Sequence, residues 1–158
     1  MKPDYQLKYL RLANMDDGEV IARLSQRLVR ETGYSRMKVN PKKIRDTVDK
    51  FILSSPHKTL CLVTEEAGQV QGYLGATLFD QPFSDEKMAL EFGWFVTPGV
   101  PHEKEMLLEL REGFEEWARR HGVRYCQYAI LKATPEDFER LSKQKRTTVL
   151  ELIYQREV

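Results

Sequence analysis

This chain of 158 residues has little net charge, two cysteines, three histidines and no long apolar run. The formal net charge is +1, so no overall electrostatic field draws the chain to nucleic acid or to an anionic membrane surface. No apolar run approaches the length that spans a bilayer, and the polar start over residues 1–5 lacks a signal-peptide core. We therefore expect a cytoplasmic protein with no membrane partner.

The few cysteines and histidines exclude further kinds of site. Cys61 and Cys126 lie inside apolar, strand-like runs, which is typical of buried free thiols in a reducing compartment. His57, His102 and His121 are far apart in the chain and share no metal-ligand spacing. The sequence therefore predicts no metal site.

What remains is the composition of an ordinary globular domain, with 41% hydrophobic and 31% charged residues. There is no internal repeat, low-complexity tract or linker, so residues 1–158 are expected to form one domain. Apolar periodicity and turn residues predict the element order β-α-α-β-β-β-α-β-α-β. The predicted strands cover residues 7–12, 60–64, 70–79, 89–96, 123–131 and 149–154; the predicted helices cover 16–33, 41–52 and 103–121 and a short stretch from 134.

Three local signals support this order. Asp16, followed by Glu19, is expected to cap the first helix, and Asn40 before Pro41 is expected to cap the second. Gly72 and Gly75 indicate a bulge or a close backbone approach in the third strand. A strand–helix–strand unit after an antiparallel meander predicts a mixed α/β fold with helices on both faces and the 123–131 strand parallel to the 89–96 strand.

The junction between the 89–96 strand and the following helix is the candidate site. Residues 97–102 break the strand, and a helix begins at Glu103. A strand end that faces a helix N-terminus favours an anionic phosphate ligand, because the unpaired N–H groups and the helix dipole point at it.

Three stretches resemble the GNAT N-acetyltransferases: residues 63–73 resemble that family's hairpin, 95–98 its strand end before the cofactor loop, and 113–123 its main helix entering the fifth strand. The resemblance implies the GNAT fold, a mostly antiparallel mixed sheet of six to seven strands. It also implies acetyl-CoA as cofactor and an amine as acceptor. GNAT-like chains with eroded cofactor motifs occur in bacteriophage genomes, so the cytoplasm of a bacterium or of a phage-infected cell is the implied location.

The stretch Gly99–Met106 departs from the glycine-rich loop, [RQ]-x-x-G-x-[GA], with which active members hold the CoA pyrophosphate. Pro101 removes one N–H donor, and Glu103 and Glu105 place negative charge where a pyrophosphate would lie. His102 and Lys104 offset part of that charge. The residues that the resemblance assigns to cofactor binding are Phe95, Val96, His102, Lys104 and Met106.

A second departure lies near the C-terminus. Phe138 takes the place of the tyrosine with which active members protonate the departing thiolate, and Ser142 takes the place of a glycine. Tyr128 and Cys126 are the nearby alternatives for a proton donor.

Glu91 is the candidate general base, because it is an acid in an otherwise apolar strand and burial would raise its pKa. The alternative is that Glu91 points into solvent or pairs with an arginine or lysine. The resemblance places the donor that polarises the thioester carbonyl at a backbone N–H near Phe95 or Val96, where the family's strand diverges from its neighbour.

Two functions therefore stay open. One is acetyl transfer from acetyl-CoA to an amine. The other is a catalytically inactive GNAT fold that binds a protein partner, as an assembly or host-interaction protein. The short basic runs 42–45 and 143–146 are expected to be solvated, so nucleic acid is not an expected partner. A homodimer through the C-terminal strand or the 80–87 loop is a further possibility.

Overall fold

The computed structural model describes residues 7–32, 37–129 and 143. Five strands and three α-helices lie in this part of the chain. In order they are β1 (Leu10–Leu12), α1 (Gly18–Glu31), α2 (Pro41–Ser54), β2 (Thr59–Glu66), β3 (Gln69–Asp80), β4 (Lys87–Val96), α3 (Glu103–Arg120) and β5 (Tyr125–Gln127).

The strands form one sheet in the order β1-β2-β3-β4-β5, antiparallel except for the parallel pair β4 and β5. The mixed sheet and the parallel final pair confirm the prediction from the sequence. The expected strand at 149–154, the helix from Thr134 and the substituted positions Phe138 and Ser142 lie outside the described residues. The described sheet thus has five of the six to seven strands expected.

Helices cover both faces of the sheet. An apolar stripe of α3 packs against one face, in a core that includes Leu62, Leu74, Met106, Leu110 and Phe114. Helices α1 and α2 cover the other face, in a core that includes Ile21, Val48, Val63, Tyr73 and Phe95. Alternation along the strands sends neighbouring side chains to opposite cores.

The N-cap residue predicted for α2 is confirmed, and the one predicted for α1 is wrong. Asn40 caps α2, its side chain accepting from the N–H of Lys43, as predicted. Ahead of α1 the cap is Asn14, which accepts from the N–H of Asp16 while the Asp17 carboxylate accepts from the N–H of Asn14. A 3-10 turn over Met15–Asp17 precedes α1, so the capping box lies two residues earlier than predicted.

The two glycines of β3 do what their positions indicate. A Cβ on Gly72 would lie 2.8 Å from the carbonyl oxygen of Phe95, so this is a close backbone approach. The register between β3 and β4 shifts after Gly75, which pairs with Gly93, while Ala76 pairs with Glu91. Phe92 is the extra residue of this bulge, and it is exposed.

Within the described ranges, no helix is both long enough and apolar enough to cross a membrane. The same residues contain no group of three or more His, Cys, Asp or Glu side chains placed to hold a metal ion.

Candidate functional site

Strands β4 and β5 diverge beside the bulge. They pair only from Met88 with Tyr125 to Leu90 with Gln127, and β4 then continues to Val96. Such a divergence leaves one edge of β4 without a strand partner in the part of the chain described. Two side-chain contacts bridge the opening, one made by Glu91 and one by Trp94.

Glu91 stands at the start of this opening and is 9% exposed. One of its carboxylate oxygens, Oε2, accepts a hydrogen bond from the backbone N–H of Ala129 at 3.0 Å. Burial raises the pKa of Glu91 to about 7, although the Ala129 N–H favours the charged form and opposes part of the shift. Glu91 therefore does not point into solvent, and within the described ranges it forms no salt bridge.

The second bridge is aromatic. The rings of Trp94 and Tyr128 lie 5.8 Å apart between centroids, and Tyr128 also meets Phe114 edge-on at 5.3 Å. The hydroxyl of Tyr128 donates to Glu115 Oε1 at 2.6 Å. Burial and the Glu115 carboxylate both raise the pKa of Tyr128, so its proton is held where it is.

Cys126, the other alternative proton donor, is a free thiol whose pKa burial raises to about 11. Cys61 is also free and buried, as expected from its strand, and burial raises its pKa to about 12. Neither thiol is therefore in the low-pKa state that marks a reactive cysteine.

At the other end of β4, the loop before α3 forms a hydrogen bond with a side chain of α3. Gly99 has a φ of 79°, and its N–H donates to Glu103 Oε2 at 2.8 Å. The carboxylate of Glu103 therefore occupies a backbone donor that a phosphate oxygen would need. His102 is the N-cap residue of α3 and has a φ of 61°. Its side chain makes no capping hydrogen bond.

His102 is exposed and lies beside two acids and an aromatic ring. Its imidazole stacks on Tyr9, with centroids 5.3 Å apart. Its Nε2 lies 3.7 Å from Glu66 and its Nδ1 lies 3.8 Å from Glu105. Any positive charge on His102 is thus shared with two carboxylates. Lys104 is exposed and makes no ion pair with a described residue.

The remaining residues assigned to the cofactor lie in the two cores. Phe95 packs under α1 and α2, whereas Val96 and Met106 pack under α3. Met106 is fully buried, and Val96 is 4% exposed. Their side chains face protein, so only their backbone groups are placed to meet a ligand. The sequence predictions for these five residues and for Glu91 as a base stay predictions.

The loop as it stands does not fit a pyrophosphate. Pro101 has no N–H, Glu103 holds the Gly99 N–H, and Glu105 lies in the same first turn. A dianionic group would meet two carboxylates at a helix N-terminus whose dipole these acids already satisfy. The sequence identified the acids but not the Glu103–Gly99 contact, because the conformation of the six-residue loop 97–102 decides which group that carboxylate meets.

Comparison with known proteins gives the fold by structure alone. No family model matches the sequence. No curated protein matches it either.

Solved structures do match, over nearly the whole chain. A possible acetyltransferase from Clostridium difficile 630 superposes with a TM-score of 0.70 and 15% identity, over 94% of this chain and 96% of that one. A predicted acetyltransferase with acetyl-CoA from Clostridium acetobutylicum gives 0.68 and 13%, over 91% and 94%. The aminoglycoside acetyltransferase AAC(6')-Iy, in complex with a bisubstrate analogue of CoA, gives 0.67 and 13%, over 93% and 97%. At such low identity the likeness concerns architecture, and this chain has the GNAT fold of the N-acetyltransferases.

Proposed function

We propose that this GNAT-fold chain is a binding protein that does not transfer acetyl groups from acetyl-CoA. The observation that carries the proposal is the hydrogen bond from the Gly99 N–H to Glu103 at 2.8 Å. In this conformation the loop before α3 binds a carboxylate of the helix that follows it, in place of a ligand's phosphate. Its partner would be another protein. GNAT-like chains with eroded cofactor motifs suggest such a protein-binding role.

Electrostatics supports this reading beyond the one contact. Glu103 and Glu105 lie in the first turn of α3, and Glu66 lies beside His102. CoA binding would require Glu103 to release Gly99 and would then hold several negative charges within a few ångströms of one another. Like charges at such distances repel one another.

The divergence of β4 and β5 supports the proposal independently. Glu91 and Trp94 reach the segment after β5, and both contacts lie across the opening. A ligand that entered between these strands would have to break the Glu91–Ala129 hydrogen bond and separate two aromatic rings. Both ends of the expected cofactor site are thus filled by the protein itself.

The second candidate is acetyl transfer to an amine, and one observation favours it. Glu91 is buried with a pKa of about 7, the value expected of a general base that works near neutral pH. Under this candidate Glu91 removes a proton from the amine, and Glu91→Gln abolishes turnover without changing ligand affinity. The amine classes in the solved neighbours, including an acetylneamine derivative, would be the first substrates to test.

The deciding experiment neutralises the two acids in the first turn of α3. Glu103→Gln combined with Glu105→Gln should tighten acetyl-CoA binding by about tenfold or more, which corresponds to about 1.4 kcal/mol. A control with the same charge change away from the loop, Glu86→Gln with Glu112→Gln, should leave affinity unchanged. Acetyl-CoA binding by the double variant that is as weak as that of wild type, including no detectable binding at millimolar ligand by either protein, would reject the electrostatic explanation.

A further inference from the structure

A cavity of about 340 Å³ lies between α1, α2 and the face of the sheet that these helices cover. It is on the opposite side of the sheet from the core under α3. Its size is that of a small-molecule site. Most of its wall is apolar, formed by Ile21, Leu28, Ile44, Val48, Phe51 and Phe92.

Two hydroxyl groups of the wall are already engaged with the protein. Ser25 Oγ donates to the carbonyl of Ile21 at 2.8 Å, and Thr47 Oγ1 donates to the carbonyl of Lys43 at 2.8 Å. Because these hydroxyl protons are committed, the wall favours an apolar ligand body.

The charge of the cavity has one sign. Among the described residues that line it, Lys43 is the one charged side chain, and there is no aspartate or glutamate. Lys43 is exposed, so its ammonium group lies toward solvent.

Two neighbouring cations of α2 are paired with acids of the same helix. Lys42 binds Asp46 at 2.8 Å, and Arg45 binds Asp49 at 2.9 Å. Lys43 forms no ion pair with any residue in the described ranges. A cation without an ion pair to any described residue therefore stands beside an apolar cavity whose described lining contains no acid.

One large apolar side chain at the cavity remains uncovered. Phe92, the bulge residue of β4, lines the cavity and is 65% exposed. Its ring lies 5.3 Å from that of Phe51, so the two rings form an aromatic wall that is open on one side. A bound apolar group would remove part of this surface from water, which is favourable at about 25 cal/mol per Å².

We propose that this cavity binds a small monocarboxylate with an apolar body, its carboxylate at Lys43 and its body against Phe51 and Phe92. A polyamine or aminoglycoside is disfavoured, because the lining offers a cation and no acid. This inference does not depend on acetyl-CoA, since the cavity lies on the other face of the sheet from α3.

The test compares three eight-carbon probes that differ only in the head group. Octanoate, 1-octanol and octylamine are titrated into the full chain, and binding is followed by calorimetry and by amide chemical shifts. We expect octanoate to bind about fivefold tighter than 1-octanol, the gain of a solvent-exposed ion pair, and octylamine to bind weakest. Shifts are expected at Gly75 and Gly93, which line the cavity.

Variants of α2 test whether the head group binds at Lys43 and whether the probes bind in the cavity. Lys43→Gln should remove the preference of octanoate over 1-octanol, whereas Lys42→Gln should keep it. Thr47→Trp should fill the cavity and abolish binding of every probe, whereas Lys50→Trp, on the same helix but outside the lining, should not. The proposal is overturned if octylamine binds as tightly as octanoate, if no probe binds saturably, or if Lys43→Gln leaves the preference intact.

Discussion

The Glu91 carboxylate accepts a hydrogen bond from the backbone N–H of Ala129 at 3.0 Å and so joins β4 to the segment that follows β5. The two strands no longer pair at this point. A buried acid therefore bridges the opening in the sheet. This contact makes Glu91 important for stability whether or not it takes part in chemistry.

Glu91 should make stability fall as pH rises. Its pKa is about 7 in the folded protein, above its ordinary value of 4.5, so the folded state holds the proton more tightly than the unfolded state. The folded state is therefore penalised increasingly from about pH 4.5 to about pH 7, and the penalty is complete above that range. The shift corresponds to a few kcal/mol at most, about 1.4 kcal/mol per pH unit.

Glu91→Gln removes this penalty and keeps an oxygen for the Ala129 N–H. We expect the variant to be more stable than wild type by about 2 kcal/mol at pH 8 and nearly equal at pH 4.5. Urea unfolding at both pH values measures the difference. A difference between the two proteins that does not change with pH would contradict the burial of an ionisable Glu91.

Arg11 holds two acids together at the edge of the sheet. Its guanidinium pairs with Asp17 at 2.7 Å and also with Glu65. Arg11 lowers the pKa of Asp17, which is buried, so the pair stabilises the fold above the ordinary pKa of an aspartate and loses this effect as pH falls through the lowered value.

Arg11→Gln should cost about 3 kcal/mol at pH 7, because it leaves a buried carboxylate without its cation. The loss should shrink as pH falls through the lowered pKa of Asp17, because the carboxylate then becomes protonated. Arg27→Gln, which breaks the half-exposed pair with Glu31, serves as the control and should change stability by less than about 1 kcal/mol. Equal losses in the two variants would show that burial does not distinguish the pairs.

Two glycines of β3 should respond differently to the same substitution. A Cβ at Gly72 would lie 2.6 Å from a methyl group of Val96 and 2.8 Å from the Phe95 carbonyl oxygen, whereas at Gly75 the nearest atom would be 3.6 Å away, in Phe51. Gly72→Ala should therefore cost about 2–3 kcal/mol through overpacking. Gly75→Ala should cost less than about 1 kcal/mol. Thermal unfolding of the two variants tests this, and a costlier Gly75→Ala would contradict the register.

The sequence contained most of the described fold. Periodicity placed the helices and central strands within a few residues, because apolar stripes such as that of α3 are fixed by burial. Gly72 and Gly75 also indicated their structural roles. The short strand β1 was overestimated as residues 7–12, since three paired residues leave little pattern to read.

The site was harder to predict than the fold. Glu91 could be selected as a lone acid in an apolar strand, but its partner is a backbone N–H, and a backbone group leaves no signal in the sequence. The contact of Glu103 with the Gly99 N–H also leaves no signal in the sequence. An acid in the first turn of a helix is favourable by itself, so the presence of Glu103 does not indicate that contact. The cavity under α1 and α2 was not anticipated, because its wall joins residues from five elements, α1, α2, β2, β3 and β4.

Calorimetric titration of the purified wild-type chain with acetyl-CoA, at low and moderate salt, tests the central claim most directly. If Glu103 and its neighbours close the pyrophosphate site, no binding is detected up to millimolar acetyl-CoA at either salt concentration. Saturable binding in the micromolar range would contradict the claim, and the acetyltransferase would then be the better description of this protein.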